Sequence, residues 1–571
     1  MQLLNDIHSW GIKFNLLPDE TICMPIVFLF ELFAFLVIFI LAKFYPRAVH
    51  KTLKKFLGIL DEVGKRQILS IIIICLIAFL GNAMGNLLVR FPEPAIHDEF
   101  SKLLQADTFA SGRLSNPSHP FWEHFKTFHI LQQPTYASKY LPGQGLLLAL
   151  GQIIGGHPVV GLWIGAAFLC VSIYWMLTGI IPKRWGILGS LLAALNFCVL
   201  GYWSQKYWGG YIAAASCSLV YGALFRIQKK VTYASAILLG VGLVLMAFSR
   251  PIESFFAIAP GGIYFFYLYL KDRETDWYQF FSRIILPTGI IVTIGMLWLG
   301  YYNYRVTGNA LQLPYVLYGE TSIVTPNFLW SETSPLPEGE MEEYLTNYQI
   351  HFAKFNTQKS ISGYFNIKKI EFFTNILFYF RFVFLIPLLM IPFFWRKNWT
   401  SIALISVLIV WIVVFCQYGS PPRKIAPATG LMVLIIVQGL RVLICGQRGK
   451  NNLGNVLMFT VIAVFISSVA ASFHPFFQSP PWYFASNRRE IENVLKTNGG
   501  NHLIFVEYAK GYVPHFEFVQ NGANIDASAV VWARKLSPLK NRELIQYYSN
   551  RKAWVLSVDQ RGPIKLKPYS P

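Results

Sequence analysis

Apolar runs far longer than a strand needs alternate along this chain with short polar connections. Runs of about 17–25 residues, enough for a helix to cross a hydrocarbon core of about 30 Å, recur between Ile22 and Phe473. They predict spans at 22–42, 67–90, 158–181, 186–203, 207–227, 233–250, 251–270, 284–302, 372–395, 399–417, 425–444 and 454–473. The first run, Ile22 to Leu41, is longer than a signal-peptide core and has no basic leader directly before it, so it predicts a retained helix. One stretch breaks the pattern: "LPGQGLLLALGQIIG", Leu141 to Gly155, is apolar but short and glycine-rich, and predicts a segment that lies at the interface or re-enters. From His474 onward the pattern changes. "RREIENVLKTNGG" reads as a helix, "HLIFVEY" as a buried strand, "ANIDASAVVWARKL" as a second strand, "NRELIQYYSN" as a helix and "AWVLSV" as a third strand. Strands alternating with helices predict a small α/β unit with a largely parallel sheet. The fold class is therefore mainly α: a polytopic membrane helical bundle of about twelve transmembrane helices (residues 1–473, with outer loops 91–157 and 303–370), followed by a small C-terminal α/β domain (474–571).

Composition agrees, with 54% hydrophobic and 14% charged residues over 571 positions, a balance foreign to soluble domains. The net charge of +20 raises nucleic acid as a partner, but basic residues that orient helices and meet anionic lipid account for it, and no nucleic-acid partner is expected. Arg47, Lys51, Lys54, Lys55 and Lys65 place the first connection in the cytoplasm, so the loop that follows the second span is outside. If Leu141–Gly155 does not cross, Lys183-Arg184, Lys229-Lys230, Arg396-Lys397 and Arg448–Lys450 are all cytoplasmic, while both termini, the loop Asn303 to Ile370 and the tail are outside. The seven cysteines lie in or beside apolar spans without a C-x-x-C pair, so neither a disulfide framework nor a zinc site is indicated.

Against this background an adjacent carboxylate pair, Asp98-Glu99, stands out just after the second span, behind Pro92 and Pro94. A carboxylate at the membrane face can take a proton from an acceptor hydroxyl, and apolar surroundings would raise its basicity. The same pair also suits the first turn of a helix, where it caps amides and complements the dipole. The loop further holds Arg113, His119, His124, His129, Lys139 and Tyr140; His124 and His129 are five apart, poor spacing for two metal ligands on one helical face. A second group consists of cations that break the charge rule. Lys206, Arg250, Arg305 and Arg423-Lys424 fall at the outer edge, where a lipid-linked phosphate or diphosphate would explain them, as would snorkelling or pairing with neighbours such as Glu253; Lys139 joins this set. Two ionisable residues lie within spans: Arg381, a candidate to line the same cavity, and Glu31, close enough to an interface to be incidental. "KYWGG", Lys206 to Gly210, offers aromatic surface for a sugar ring, although interfacial Trp and Tyr are ordinary in membranes. The tail carries no G-x-G-x-x-G or Walker loop.

The sequence resembles the GT-C class of integral membrane glycosyltransferases, in particular the bacterial group of protein O-mannosyltransferases, lipid A aminoarabinose transferases and lipopolysaccharide-core sugar transferases. The residues that carry the resemblance are "HDEF" at His97 to Phe100 and "SKYLPGQGLLLALG" at Ser138 to Gly151; "SRPIE" at Ser249 to Glu253 and "YNYRVTGNALQLPY" at Tyr302 to Tyr315 look like a narrower subgroup. The resemblance implies a multi-pass protein of the bacterial inner membrane that moves a sugar from a polyprenyl-phosphate donor to an acceptor at the outer face. It implies Asp98 as catalytic base with Glu99 beside it, and Arg250, Arg305, Arg423, Lys424, Lys139 and Lys206 as holders of the lipid phosphate. Two departures, Leu141-Pro142 where the family often has two prolines and Tyr207-Trp208-Gly209 where it often has an acidic residue, leave the metal open, with a divalent cation as the candidate cofactor. A lipid or polysaccharide transporter or flippase is the rival reading; it predicts broken helices with polar residues at mid-membrane, whereas polar content here gathers on one side.

Overall fold

The computed structural model describes residues 18–89, 91–199, 201–271, 276–322, 325–333, 341–396, 398–445, 452–474, 483–510, 512, 517–559 and 565–569. A helix stands over each of the twelve predicted spans. Among the described residues, six helices are long and apolar enough to cross a membrane: Ile26–Phe44, Gln67–Val89, Val159–Thr178, Trp277–Thr307, Pro422–Ile444 and Leu453–Ala471. The pair Ile361–Phe380 and Leu385–Phe393, bent by 97°, adds a seventh if it is one span. The shorter apolar helices Tyr211–Ile227, Tyr233–Ala247 and Trp399–Phe415 fill out the bundle. Tyr211–Ile227 is buried at every position except Arg226. A helix enclosed by protein does not have its length set by the bilayer.

The helix Pro46–Lys65 buries Val49, Leu53, Leu60 and Gly64 on one side and exposes its lysines. Asp61 pairs with Arg184 at 2.9 Å, so this basic connection and Lys183-Arg184 share one end of the bundle, as the charge pattern predicts. At the other end, Pro142–Gly155 is a helix of 14 residues. At 1.5 Å per residue it is about 21 Å long, too short to cross. Gly156, at φ 72°, turns the chain back into Val159–Thr178. The two helices touch backbone to backbone: a Cβ on Gly151 would lie 1.9 Å from the Gly161 nitrogen.

The intramembrane charges have a structural role that corrects the sequence expectation for both. Arg381 sits at the break between Ile361–Phe380 and Leu385–Phe393 with φ 44°. Its Nε donates to Asn196 Oδ1 at 2.8 Å, its Nη1 donates to Ser468 Oγ at 2.7 Å, and Glu31 lies 3.6 Å away. Glu31, 2% exposed, accepts the backbone N–H groups of Phe382 and Val383 (3.0 and 3.4 Å) and the Ser468 hydroxyl (2.8 Å). A break inside a bundle frees amides that only a buried acceptor can satisfy. Glu31 meets that need and Arg381 balances its charge, so Arg381 does not line a phosphate site and Glu31 is not incidental.

The tail forms a four-stranded sheet in the order Val530–Arg534, Asn501–Tyr508, Arg551–Val558, Lys565–Pro568. The first three strands are parallel and the last, unpredicted, is an antiparallel edge. The sheet packs onto the loop that follows Gln67–Val89: Ala95, Ile96 and Phe100 share a core with Ile504, Val506, Phe518 and Trp532, and Leu104, Phe125 and Tyr136 share another with Leu503, Phe505 and Val531. Arg534 fastens three parts of the chain, with its Nε on the Lys126 carbonyl at 2.6 Å, Nη2 on Glu517 and Nη1 3.8 Å from Glu343 of the second outer loop. Asp526 receives the hydroxyls of Tyr547 and Tyr548 and faces His119 at 3.1 Å.

Candidate active site

The helix His97–Ala110 begins directly behind Pro92 and Pro94, with Glu99 in its first turn. Glu99 Oε2 reaches back to accept the Ala95 N–H at 3.0 Å, and Oε1 accepts the Tyr207 N–H at 3.0 Å. Both oxygens are committed to backbone amides and the residue is 0% exposed, so Glu99 braces the loop and is no catalytic group, contrary to the sequence expectation. Its neighbour Asp98 is directed elsewhere. Asp98 Oδ1 accepts the Tyr140 hydroxyl and lies 3.7 Å from His129 Nδ1 and 3.9 Å from Arg423 Nη2.

A small hairpin brings Tyr140 and His129 there. Ile130–Leu131 pairs antiparallel with Thr135–Ser138, and the register sets His129 across from Lys139, whose N–H bonds the His129 carbonyl at 3.2 Å. His129 adopts φ 63°, an uncommon conformation for a residue with a Cβ, and its N–H donates to Tyr318 Oη at 2.9 Å. Tyr140 has one hydroxyl proton. Donated to Asp98, it leaves Tyr140 Oη to accept from His129 Nδ1 at 2.9 Å, which fixes the imidazole as the Nδ1–H tautomer.

The cations come from several elements. Lys139 is 6% exposed, its Nζ 4.5, 5.1 and 5.4 Å from the ring centres of Tyr318, Tyr315 and Tyr140. Among the described residues nothing accepts a hydrogen bond from that ammonium. Arg250 stands at the head of Pro251–Lys271 and its Nη1 lies 3.6 Å from Glu253 Oε1, a contact too long for a hydrogen bond. Arg423 and Lys424 lie on the short helix Pro422–Ile425, held by one face of Ile361–Phe380: Lys368 Nζ binds the Gln417 carbonyl and Ser420 Oγ, Asn375 Nδ2 the Ser420 carbonyl and Tyr379 Oη the Pro422 carbonyl. Arg423 stacks 4.5 Å over the Trp208 ring, which has Lys206 at its other edge, 5.9 Å from the ring centre. Lys424 Nζ is held by Asn327 Oδ1 at 3.0 Å and the Tyr418 carbonyl at 3.2 Å. Lys102, one helical turn beyond Asp98, binds the Leu141 carbonyl at 3.2 Å and lies 4.4 Å over Tyr140.

Of the predicted residues, Asp98, Lys139, Arg250, Arg423 and Lys424 are brought together, with Lys206 at the rim. Arg305 is not. It is exposed, its Nη1 on the Tyr301 hydroxyl at 3.2 Å, and has no ion pair or coupling with the residues around Asp98 among the described residues. Arg305→Ala is accordingly expected to change turnover by no more than about twofold, the range of an ordinary surface substitution, measured as kcat/KM. The sequence assigns no role to Lys102, whose spacing from Asp98 is the available signal, or to Tyr318, which no motif marks; Tyr315 and Tyr140 lie in the quoted motifs without an assigned role, and His129 stands only as a member of the loop.

Electrostatics reverse one expectation. Burial alone would raise the Asp98 carboxyl, but Arg423, the hydrogen bond from Tyr140 and the imidazoles of His129 and His97 in their protonated forms hold it well below the usual carboxylate range. Asp98 is therefore an anion throughout the physiological range, and not the carboxyl of heightened basicity that apolar surroundings suggested. Burial, with Arg423 adding and Asp98 opposing, brings Lys139 down to about 8. Burial and the neighbouring Asp98 push Tyr140 well above its ordinary value, so it keeps its proton.

One donor set suits a divalent metal in geometry: ligand atoms of His97, Asp98 and His129 all lie within 4.8 Å of one another. The charge does not suit it. Asp98 already faces Arg423 and feels Lys102 and Lys139, and a dication would enter a site where cations outnumber anions.

No family model matches the chain, and no curated protein matches its sequence. Among solved structures, the oligosaccharyltransferase of Archaeoglobus fulgidus tethered to an acceptor peptide aligns over 85% of this chain and 69% of its own, at 11% identity and a TM-score of 0.46. The archaeal oligosaccharyltransferase AglB of the same organism, in complex with an inhibitory peptide and a dolichol-phosphate, covers the same shares at 12% identity and a TM-score of 0.45. ArnT from Cupriavidus metallidurans bound to undecaprenyl phosphate covers 86% of this chain and 92% of its own, at 11% identity and a TM-score of 0.45. These are remote likenesses, and the chemistry of this chain is read from its own residues.

Proposed function

We propose that this chain is an integral membrane glycosyltransferase that moves a sugar from a polyprenyl-phosphate-linked donor to an acceptor hydroxyl at the outer face of a bacterial inner membrane. The observation that carries the reading is the junction of an ionised carboxylate, Asp98, oriented by Tyr140, with a buried ammonium, Lys139, that has aromatic walls and no protein acceptor among the described residues. A cation so placed suits an anion delivered from outside the protein, and the apolar helices around it suit an anion with a lipid tail. The acceptor oxygen attacks the anomeric carbon. As that bond forms, the bond to the phosphate oxygen breaks, its electron pair leaves with the phosphate, and the acceptor proton passes to Asp98; attack from the face opposite the phosphate inverts the centre. An anion as weakly basic as Asp98 takes the proton late, once the attacking oxygen has turned acidic by bonding to carbon. Arg250, Arg423 and Lys139 offset the charge that develops on the leaving group. The basic connection 43–66 then faces the cytoplasm and the tail faces outside.

The test is incubation of the purified protein with radiolabelled polyprenyl-phosphate sugars. Transfer or release of sugar is expected; tight binding without turnover would instead mark a lipid carrier and end the enzymatic reading. A pH profile adds a second check. Lys139 is cationic below about 8 and loses its charge above it, so kcat/KM is expected to hold through neutrality and to fall up to tenfold per pH unit above about 8. Lys139→Arg should carry the plateau to higher pH, because guanidinium does not titrate there.

A further inference from the structure

Two of the full-length spans are joined by a helix that belongs to neither. Pro46–Lys65, 20 residues and about 30 Å long, starts one residue after the span Ile26–Phe44 and ends one residue before the span Gln67–Val89. Between its ends it rests on the starts of two more helices. His50 Nδ1 lies 3.3 Å from Asn455 Nδ2 near the head of Leu453–Ala471, and a Cβ on Gly64 would lie 3.2 Å from Lys183 Cβ at the head of Lys183–Ala193. Tied to the bilayer at both ends and laid across helix starts between them, it runs along the membrane surface.

At about 3.6 residues per turn this helix has three faces. Val49, Leu53, Leu60 and Gly64 are buried against the bundle. Opposite them Arg47, Lys51, Lys54 and Lys55 are exposed, with Lys43 and Arg66 exposed just beyond the ends. None of these six pairs with a carboxylate among the described residues, since Asp61 is taken by Arg184 and Glu62 by Lys65. Between the buried and the cationic faces, Ala48 and Ile59 are exposed and Phe56 and Val63 half-buried, an apolar flank with exposed Tyr45 directly before it.

We infer that this helix binds the headgroups of anionic phospholipids in the leaflet at its end of the bundle. The apolar flank meets the acyl boundary, while the flexible lysine stems carry their ammonium groups to the phosphates. A water-borne polyanion would use the cationic face alone and leave Ile59 and Phe56 against water, so the flank argues for the lipid. The transfer chemistry plays no part in this binding.

Hydrogen exchange over residues 46–65 of the full-length protein tests it, in nanodiscs of phosphatidylcholine alone and of phosphatidylcholine with about one-third phosphatidylglycerol. Phosphatidylglycerol is expected to slow exchange there at least threefold. Salt near 1 M, which shortens the screening length to about 3 Å, should abolish the slowing in the wild-type protein. The triple variant Lys51→Gln, Lys54→Gln, Lys55→Gln should lose it at low salt. Equal exchange in the two bilayers overturns the inference, as does slowing that survives in the triple variant or at high salt. Soluble polyphosphate added to the phosphatidylcholine discs should change nothing; slowing by polyphosphate as large as that by phosphatidylglycerol would mark a site for water-borne anions and overturn the lipid assignment.

Discussion

Asp98→Asn is expected to lower kcat by about 10²–10⁴-fold, the range that removal of a positioned proton acceptor produces, while donor binding is kept or tightened. The two halves of this result have different causes. Asparagine still accepts the Tyr140 hydroxyl bond and fills the same volume, so the loop, the hairpin and the tail docked upon them should keep their places, readable as an unchanged elution profile and melting temperature. It cannot take the acceptor's proton, so turnover falls. It also removes a carboxylate that faces Arg423 and acts on Lys102 and Lys139, so an anionic lipid gains attraction and KM for the donor should fall or stay level. A structural role for Asp98 predicts the opposite split, with lost expression and a raised KM. Turnover at the wild-type rate by the asparagine variant would remove Asp98 from the mechanism.

The largest effect on stability is expected away from the site, at the helix break. Glu31→Leu takes the acceptor from the backbone N–H groups of Phe382 and Val383 and leaves Arg381 as an uncompensated buried cation. Arg381→Leu leaves the Glu31 carboxylate without its cation. Each single substitution is expected to cost about 3–5 kcal/mol, the range for breaking one side of a buried ion pair. The double variant should cost less than the sum, because neither charge is then stranded, although the two amides remain without an acceptor. Thermal unfolding in detergent, followed by loss of the monodisperse peak, reads both. Single variants that melt with the wild type would show that the bracket carries no stability. If Arg381 held the lipid phosphate instead, Arg381→Leu would raise the donor KM in the protein that remains folded, and that is not expected.

The sequence determined what is set by the solvent around each segment. Apolar length placed a helix over every predicted span, because hydrocarbon leaves backbone groups no partner outside their own helix. The bias of lysine and arginine grouped Lys183-Arg184 with the connection before Gln67, as the Asp61 contact shows. Alternation of strand and helix gave the tail its sheet, and the prolines before Asp98 announced a helix start with a carboxylate in its first turn. Tertiary structure alone decided which charges meet. Asp98 and Glu99 are adjacent and chemically alike, yet one is consumed by the amides of Ala95 and Tyr207 and the other is turned toward Tyr140 and Arg423, a difference set by residues 42 and 325 positions away. Arg305 and Arg250 look equivalent at the outer edge, but only Arg250 faces the cluster, since helix phase and the packing of neighbours fix where a side chain points. The sign of the shift at Asp98 belongs to the same class: burial is partly legible in local hydrophobicity, whereas the cations that outweigh it arrive from separate elements once the bundle closes.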